Sequence, residues 1–185
     1  TCERGADHMV VGHDTMLNTE SYSFVNTMPP MGVYSLTSAT EYSPLKVRTF
    51  AYLSYWWSFF NEAGICQFVP VPRSAMSISD VLGALKAYTG WNTSLWEVMK
   101  AGERGITMAR VFNLREGFSA SDDKFPERLH QPLENGAMKG AFVPKEDLNK
   151  AIKLYYGMMG WDESGVPTEE KLLELGLDWL VQKMS

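Results

Sequence analysis

The chain is expected to be all-α. Three observations carry that expectation. The stretch from Ser43 to Glu62 has no glycine and only Pro44, which suits the first turn of a helix. Two serines, Ser77 and Ser94, stand three residues before an acidic residue, Asp80 and Glu97, which is the pattern of a helix N-terminal capping box. Nowhere in the 185 residues does apolar and polar alternation persist for more than a few positions, as a half-buried strand would require.

Residues 1–40 are rich in Gly, Pro, Ser, Thr and Asn and include Pro29-Pro30 and Gly32, so they read as irregular chain held by something else. Ser43 then caps the first helix, which runs to Glu62 and ends at Gly64. Its apolar residues, from Leu45 to Phe60, cover more than one face, so this helix should be mostly buried. A break at Val69–Arg73 contains Pro70 and Pro72, and a second helix follows from Ser77 to Tyr88, before Gly90. The third begins at Ser94 and reaches about Arg115. Gly102 and Gly105 weaken it by about 1 kcal/mol each relative to Ala, a cost that close packing against a neighbour would explain. A fourth helix is expected over Lys145–Met158, a fifth over Thr168–Leu175, and a short last turn over Asp178–Lys183.

Composition excludes more than it assigns. The net charge is -5 with 21% charged residues, which offers no basic surface for nucleic acid or anionic lipid. No run of about 18 apolar residues is present, and two cysteines beside eleven methionines suit a reducing interior better than a disulfide framework. The expectation is a soluble, cytoplasmic protein that binds neither nucleic acid nor membrane. The opening residues TCERGADHM, without an initiator Met, read like the inside of a protein, so a fragment, a processed chain or a separately encoded subunit is expected.

Few residues suggest chemistry by themselves. Cys66 follows Gly64 and Ile65 at the end of the first helix, where a sulfur can be aimed at a metal or cluster, although a lone cysteine is more often a small buried apolar group. His8 follows Asp7 and can move a proton near neutral pH, since its ordinary pKa is about 6.5; the plainer alternative is a structural or surface histidine. A zinc site drawn from Cys2, His8, His13 and Cys66 matches no common finger spacing. His130 reads as solvated in a loop before Pro132. Arg104, Arg110 and Arg115 fall near one helix face and suit ion pairs with Glu116, Asp122 or Asp123, or else an anionic ligand.

Read as one ordered set, these segments say more. The blocks RVFNLREGF (Arg110 to Phe118), DDKFPERL (Asp122 to Leu129) and YYGMMGWDESGVPTEEKLLELGL (Tyr155 to Leu177), preceded by Arg4-Gly-Ala-Asp-His8 and Asn61-Glu-Ala-Gly-Ile-Cys66, resemble the C-terminal part of the aldehyde:ferredoxin oxidoreductase family. Members of that family carry a tungsten or molybdenum bis-pterin and a [4Fe-4S] cluster, and the resemblance runs from about Arg4 to Leu177. It implies a single C-terminal-type helical region over 1–185, with residues 1–40 facing the cofactors and 41–185 helical, and with the N-terminal pterin-binding domain absent.

The resemblance also implies residue roles. The family pattern at the first helix end is Asp, two variable residues, Gly, Leu and Cys. Cys66 then matches the fourth ligand of the [4Fe-4S] cluster, and Gly64 and Ile65 match or nearly match their positions. Asn61 departs from the pattern: an amide stands where the family has a carboxylate that binds a pterin, so that hydrogen bond becomes neutral and weaker. His8 matches a histidine close to the metal that moves protons during carbonyl oxidation. The family's other three cluster cysteines come from an upstream C-x2-C-x3-C run with no counterpart here, so a missing N-terminal portion or a partner subunit must supply them. The implied activity is oxidation of a small aldehyde to a carboxylic acid with ferredoxin as electron acceptor, with the chain inactive by itself. Two alternatives stand beside it: the tungsten subunit of an aromatic-ring reductase acting on benzoyl-coenzyme A, with Tyr22–Tyr34 lining its substrate channel, and a metal-free helical interaction module.

Overall fold

The computed structural model describes residues 11, 25, 27–38, 40–71 and 76–183. Among them are five α-helices: α1 (Pro44–Ala63), α2 (Ile78–Thr89), α3 (Leu95–Arg115), α4 (Lys145–Met159) and α5 (Glu169–Glu174). Short 3-10 turns lie at Pro29–Met31, Ala120–Asp122, Glu127–His130 and Asp178–Lys183. The described residues hold no β-strand, only isolated bridges at Pro70 to Met76 and Trp161 to Pro167. The all-α expectation is met, and each helix begins and ends within two residues of its expected bounds.

Local chemistry explains the helix starts. The Ser43 hydroxyl accepts the Lys46 backbone N–H at 3.3 Å, with Pro44 in the first turn where its missing N–H costs nothing. At α2 and α3 the cap is reciprocal: Ser77 accepts from the Asp80 N–H while the Asp80 carboxylate accepts from the Ser77 N–H at 2.8 Å, and Ser94 and Glu97 repeat the arrangement at 2.7 Å. At α4, Pro144 supplies no capping side chain, and Glu146 and Asp147 complement the helix dipole instead.

Helix α1 is the axis of the molecule. Its Val47, Ala51 and Tyr55 pack with Ile106 of α3 and with Leu148, Ile152, Tyr155, Tyr156 and Met159 of α4. Its aromatic half, Trp56, Trp57, Phe59 and Phe60, packs with Val71, Val81 of α2 and Val98 of α3. Leu53 meets Val11, Met28 and Val33 on a third side. Trp56, Trp57 and Phe60 are completely buried, and such a side chain stabilises the fold by roughly 2–3 kcal/mol. The Trp56 indole N–H, which burial would otherwise leave unsatisfied, donates to the Val71 carbonyl at 3.1 Å.

The two glycines of α3 have the reason the sequence suggested. A Cβ at Gly102 would stand 2.8 Å from the Tyr55 carbonyl carbon and 3.1 Å from the Phe59 backbone nitrogen. One at Gly105 would stand 2.9 Å from the Ser58 hydroxyl. Helices α1 and α3 therefore approach backbone to backbone at Gly102, while at Gly105 the space is taken by the Ser58 and Glu62 side chains of α1. A separate small core, Val111 with Leu172, Leu175, Leu177 and Leu180, fastens α5 and the last turn to α3.

Candidate functional site

The C-terminal end of α1 positions the thiol. Gly64 adopts φ +67°, a conformation that a side chain would strain, and its N–H bonds the Asn61 carbonyl at 3.4 Å. The next N–H, of Ile65, reaches back to the Phe60 carbonyl at 2.8 Å, and the Ile65 side chain packs against the Trp56–Phe60 cluster. This is a Schellman ending, in which a left-handed residue reverses the chain and the apolar residue after it returns to the helix face. With Ile65 anchored inward, Cys66 is directed outward: it is exposed and free of any disulfide. Its carbonyl accepts the Val69 N–H at 3.0 Å, which closes a second turn directly after the first.

Asn61, Gly64, Ile65 and Cys66 are thus brought to one turn. The Asn61 side chain is exposed, and its Oδ1 accepts the Gln67 Nε2–H at 3.0 Å. The chemistry of this donor set fits a metal centre in one part only. An exposed thiol held clear of the core suits one ligand of an iron–sulfur cluster, which binds thiolate sulfur. The amide is a poorer substitute for a pterin-binding carboxylate, because it carries no charge and its oxygen already accepts from Gln67. Among the described residues no group of three or more His, Cys, Asp or Glu side chains is arranged to hold a metal ion. His8 and its neighbours Arg4 and Asp7, as well as Cys2, His13 and most of the segment 1–40, lie outside the described residues.

Arg104 and Arg110 of α3 have structural partners. Arg110 pairs with Asp123 at 2.8 Å, both side chains being buried, and its Nε–H donates to the Gly165 carbonyl at 2.9 Å. The Tyr156 phenol donates to the same Asp123 oxygen; burial, then that carboxylate, raises its pKa. Arg104 donates through Nε to the Leu175 carbonyl at 2.8 Å rather than to a carboxylate. His130 corrects the expectation of a solvated ring: it is half-buried, with Nδ1 2.7 Å from the Val143 carbonyl.

The sequence reading missed one ionic group entirely. Glu103, 4% exposed, bonds Lys100 at 2.7 Å and Lys171 at 2.8 Å, and Glu174 closes the ring by bonding Lys100 at 2.5 Å and Lys171 at 3.0 Å. Only a carboxylate in the middle of a buried helix face hinted at it. Among the described residues no helix is long and apolar enough to cross a membrane.

With this geometry in view, comparison with known proteins is informative. A family model described as aldehyde ferredoxin oxidoreductase, domains 2 and 3, matches residues 1–177. The tungsten-containing aldehyde ferredoxin oxidoreductase of Pyrococcus abyssi (strain GE5 / Orsay) is 36% identical over 123 residues, covering 65% of this chain and 19% of that protein. The WOR-like subunit of an aliphatic sulfonate oxidoreductase of Pyrococcus furiosus is 32% identical over 126 residues, covering 65% of this chain and 20% of that one. The chain therefore spans about a fifth of the length of these curated relatives. Among solved structures, the active-site complex BamBC of benzoyl coenzyme A reductase with 1,5-dienoyl-CoA superposes with a TM-score of 0.56 at 22% identity. That match covers 74% of this chain and 20% of the other, and it is a likeness of fold.

Proposed function

Because this chain belongs to the aldehyde ferredoxin oxidoreductase family, we propose that it works as the C-terminal portion of a tungsten- or molybdenum-pterin enzyme that oxidises aldehydes to carboxylic acids and passes the electrons to ferredoxin. The observation that carries this reading is the exposed, disulfide-free Cys66 thiol at the Schellman end of α1, inside the stretch matched to the family. When bound, the metal pterin supplies oxygen-atom and two-electron chemistry and the [4Fe-4S] cluster carries electrons outward one at a time.

The residues of this chain have narrower duties. Cys66, as its thiolate, would hold one iron of the cluster, and Gly64 and Ile65 set the direction of its Cα–Cβ bond through the helix ending just described. Asn61 borders the pterin with a neutral amide, so it contributes orientation without charge. His8 takes up one of the two protons released as the aldehyde gains the oxygen of water and passes it to solvent, a task suited to an imidazole. The remaining cluster thiolates come from the N-terminal portion or a partner subunit.

The test is a Cys66→Ser variant of the complete protein, assayed for iron and for turnover. Iron and activity should be lost together, and unchanged iron content refutes the ligand role. Substrate class is read separately by offering aldehydes, aliphatic sulfonates and aryl thioesters to the unaltered enzyme. Turnover of aldehydes supports the reading, and turnover of only a sulfonate or a thioester replaces it.

A further inference from the structure

We propose that Asn135-Gly136 is a site of self-modification, at which the Gly136 backbone nitrogen attacks the Asn135 side-chain amide and residue 135 becomes a mixture of aspartate and isoaspartate. Asn135 is the only asparagine of the chain followed by glycine. The pair lies between α3 and α4, outside every helix, in the stretch 131–140 where each residue is exposed.

The fold leaves the reacting atoms free. Among the described residues the Gly136 N–H has no hydrogen-bond acceptor and the Asn135 amide has no partner. Gly136 carries no Cβ, and nothing lies within 4 Å of where one would stand, so its nitrogen is open to approach. The loop ends are held meanwhile: Leu133 accepts the Gly140 N–H at 2.8 Å and donates to the Ala141 carbonyl at 3.0 Å, and the Val143 N–H reaches the Leu129 carbonyl at 2.8 Å. Ring closure involves two adjacent residues, so none of these bonds has to break.

The other described asparagines lack this combination. Asn61, Asn113 and Asn149 lie inside helices, where the next N–H is held by a carbonyl four residues back. Asn92 precedes Thr93, whose branched side chain crowds the nitrogen, and its Oδ1 accepts from the Lys86 ammonium at 2.9 Å.

The reaction needs only water. A bond forms from the Gly136 nitrogen to the Asn135 Cγ, the Cγ–Nδ2 bond breaks, and the proton lost by the nitrogen leaves with Nδ2 as ammonia. Water then opens the succinimide at either carbonyl, giving aspartate or isoaspartate and one further negative charge beside Glu134. Residues 131–142 belong to none of the four apolar clusters, so the core survives the change. The site is independent of Cys66 and of the function proposed above.

Incubation of the full chain in neutral and mildly alkaline buffer, followed by peptide mapping with mass spectrometry, tests the assignment. The peptide holding residue 135 should gain the mass by which OH exceeds NH2, faster at the higher pH, and an isoaspartyl methyltransferase should label it. Peptides holding Asn61, Asn92, Asn113 and Asn149 should keep their mass. The native chain should convert within several-fold of the rate in urea, and Asn135→Gln, which would need a larger ring, should abolish labelling without altering the circular dichroism. No conversion at residue 135, equal conversion at Asn92, or strong protection of Asn135 in the native chain relative to urea overturns the proposal.

Discussion

The Nη2 of Arg110 lies 2.8 Å from the Oδ2 of Asp123, with each side chain 1% exposed. Around that pair the Tyr156 phenol donates to the same oxygen, and the guanidinium stands 5.1 Å over the Trp161 ring. One buried cation thus ties α3 to the loop at Asp123, to the turn at Gly165 and to the end of α4. Removing one partner leaves a charge without compensation. Asp123→Leu should cost about 3–5 kcal/mol, and the double change Arg110→Met with Asp123→Leu should cost much less. Urea midpoints of the single and double variants measure both. Equal losses would mean that leaving the Arg110 charge unpaired carries no extra cost.

Three glycines should answer alanine substitution differently. At Gly83 on α2 nothing lies within 4 Å of an added Cβ, so Gly83→Ala should stabilise the chain by about 0.5–1 kcal/mol. At Gly102 the added methyl meets the α1 backbone, which cannot withdraw, and Gly102→Ala should cost about 1–3 kcal/mol. At Gly64 the space is open but φ is +67°, so the loss should be about 1 kcal/mol and arise from the backbone alone. Thermal melts of the three variants give the order.

Acid should act on the helix starts. Hydrogen bonds from Ser77 hold the Asp80 carboxyl below its usual range, and the Ser94 backbone and hydroxyl do the same for Glu97. A carboxyl whose folded pKa is depressed contributes stability above its unfolded value of about 4, and loses it as pH falls through the lower folded value. The advantage of the native chain over an Asp80→Asn, Glu97→Gln double variant should therefore shrink as pH drops below about 4. Denaturant titrations at several pH values check this, and a constant difference would contradict it.

The Cys66 thiol should react with iodoacetamide in the folded chain, without denaturant and without change in the far-ultraviolet circular dichroism, because it is exposed outside the core. Peptide mapping identifies the modified position. Protection of Cys66 in the native chain would mean that the α1 ending does not direct it outward.

The helices were legible because their signals are local. Ser43, Ser77 and Ser94 bond residues three positions on, and Gly64 and Gly90 reverse the chain within a turn, so a short window of sequence holds both partners. The helix ending before Cys66 was legible for the same reason, through Gly64, whereas the exposure of the thiol was not. What joins distant segments was not. Arg110 had three plausible carboxylates, and the loop conformation that selects Asp123 has no sequence pattern. The Glu103 ring joins residues 68 and 74 positions apart, and nothing along the chain couples them. His130 was misread because the carbonyl it meets belongs to Val143, across a loop.

Since three of the four apolar clusters among the described residues each take a share of α1, those three are coupled through that helix. Loss of structure should then be all-or-none across α1, α2 and α4, without a stable half-folded species, and the amide protons near Trp56 and Trp57 should exchange with deuterium only when the whole domain comes apart.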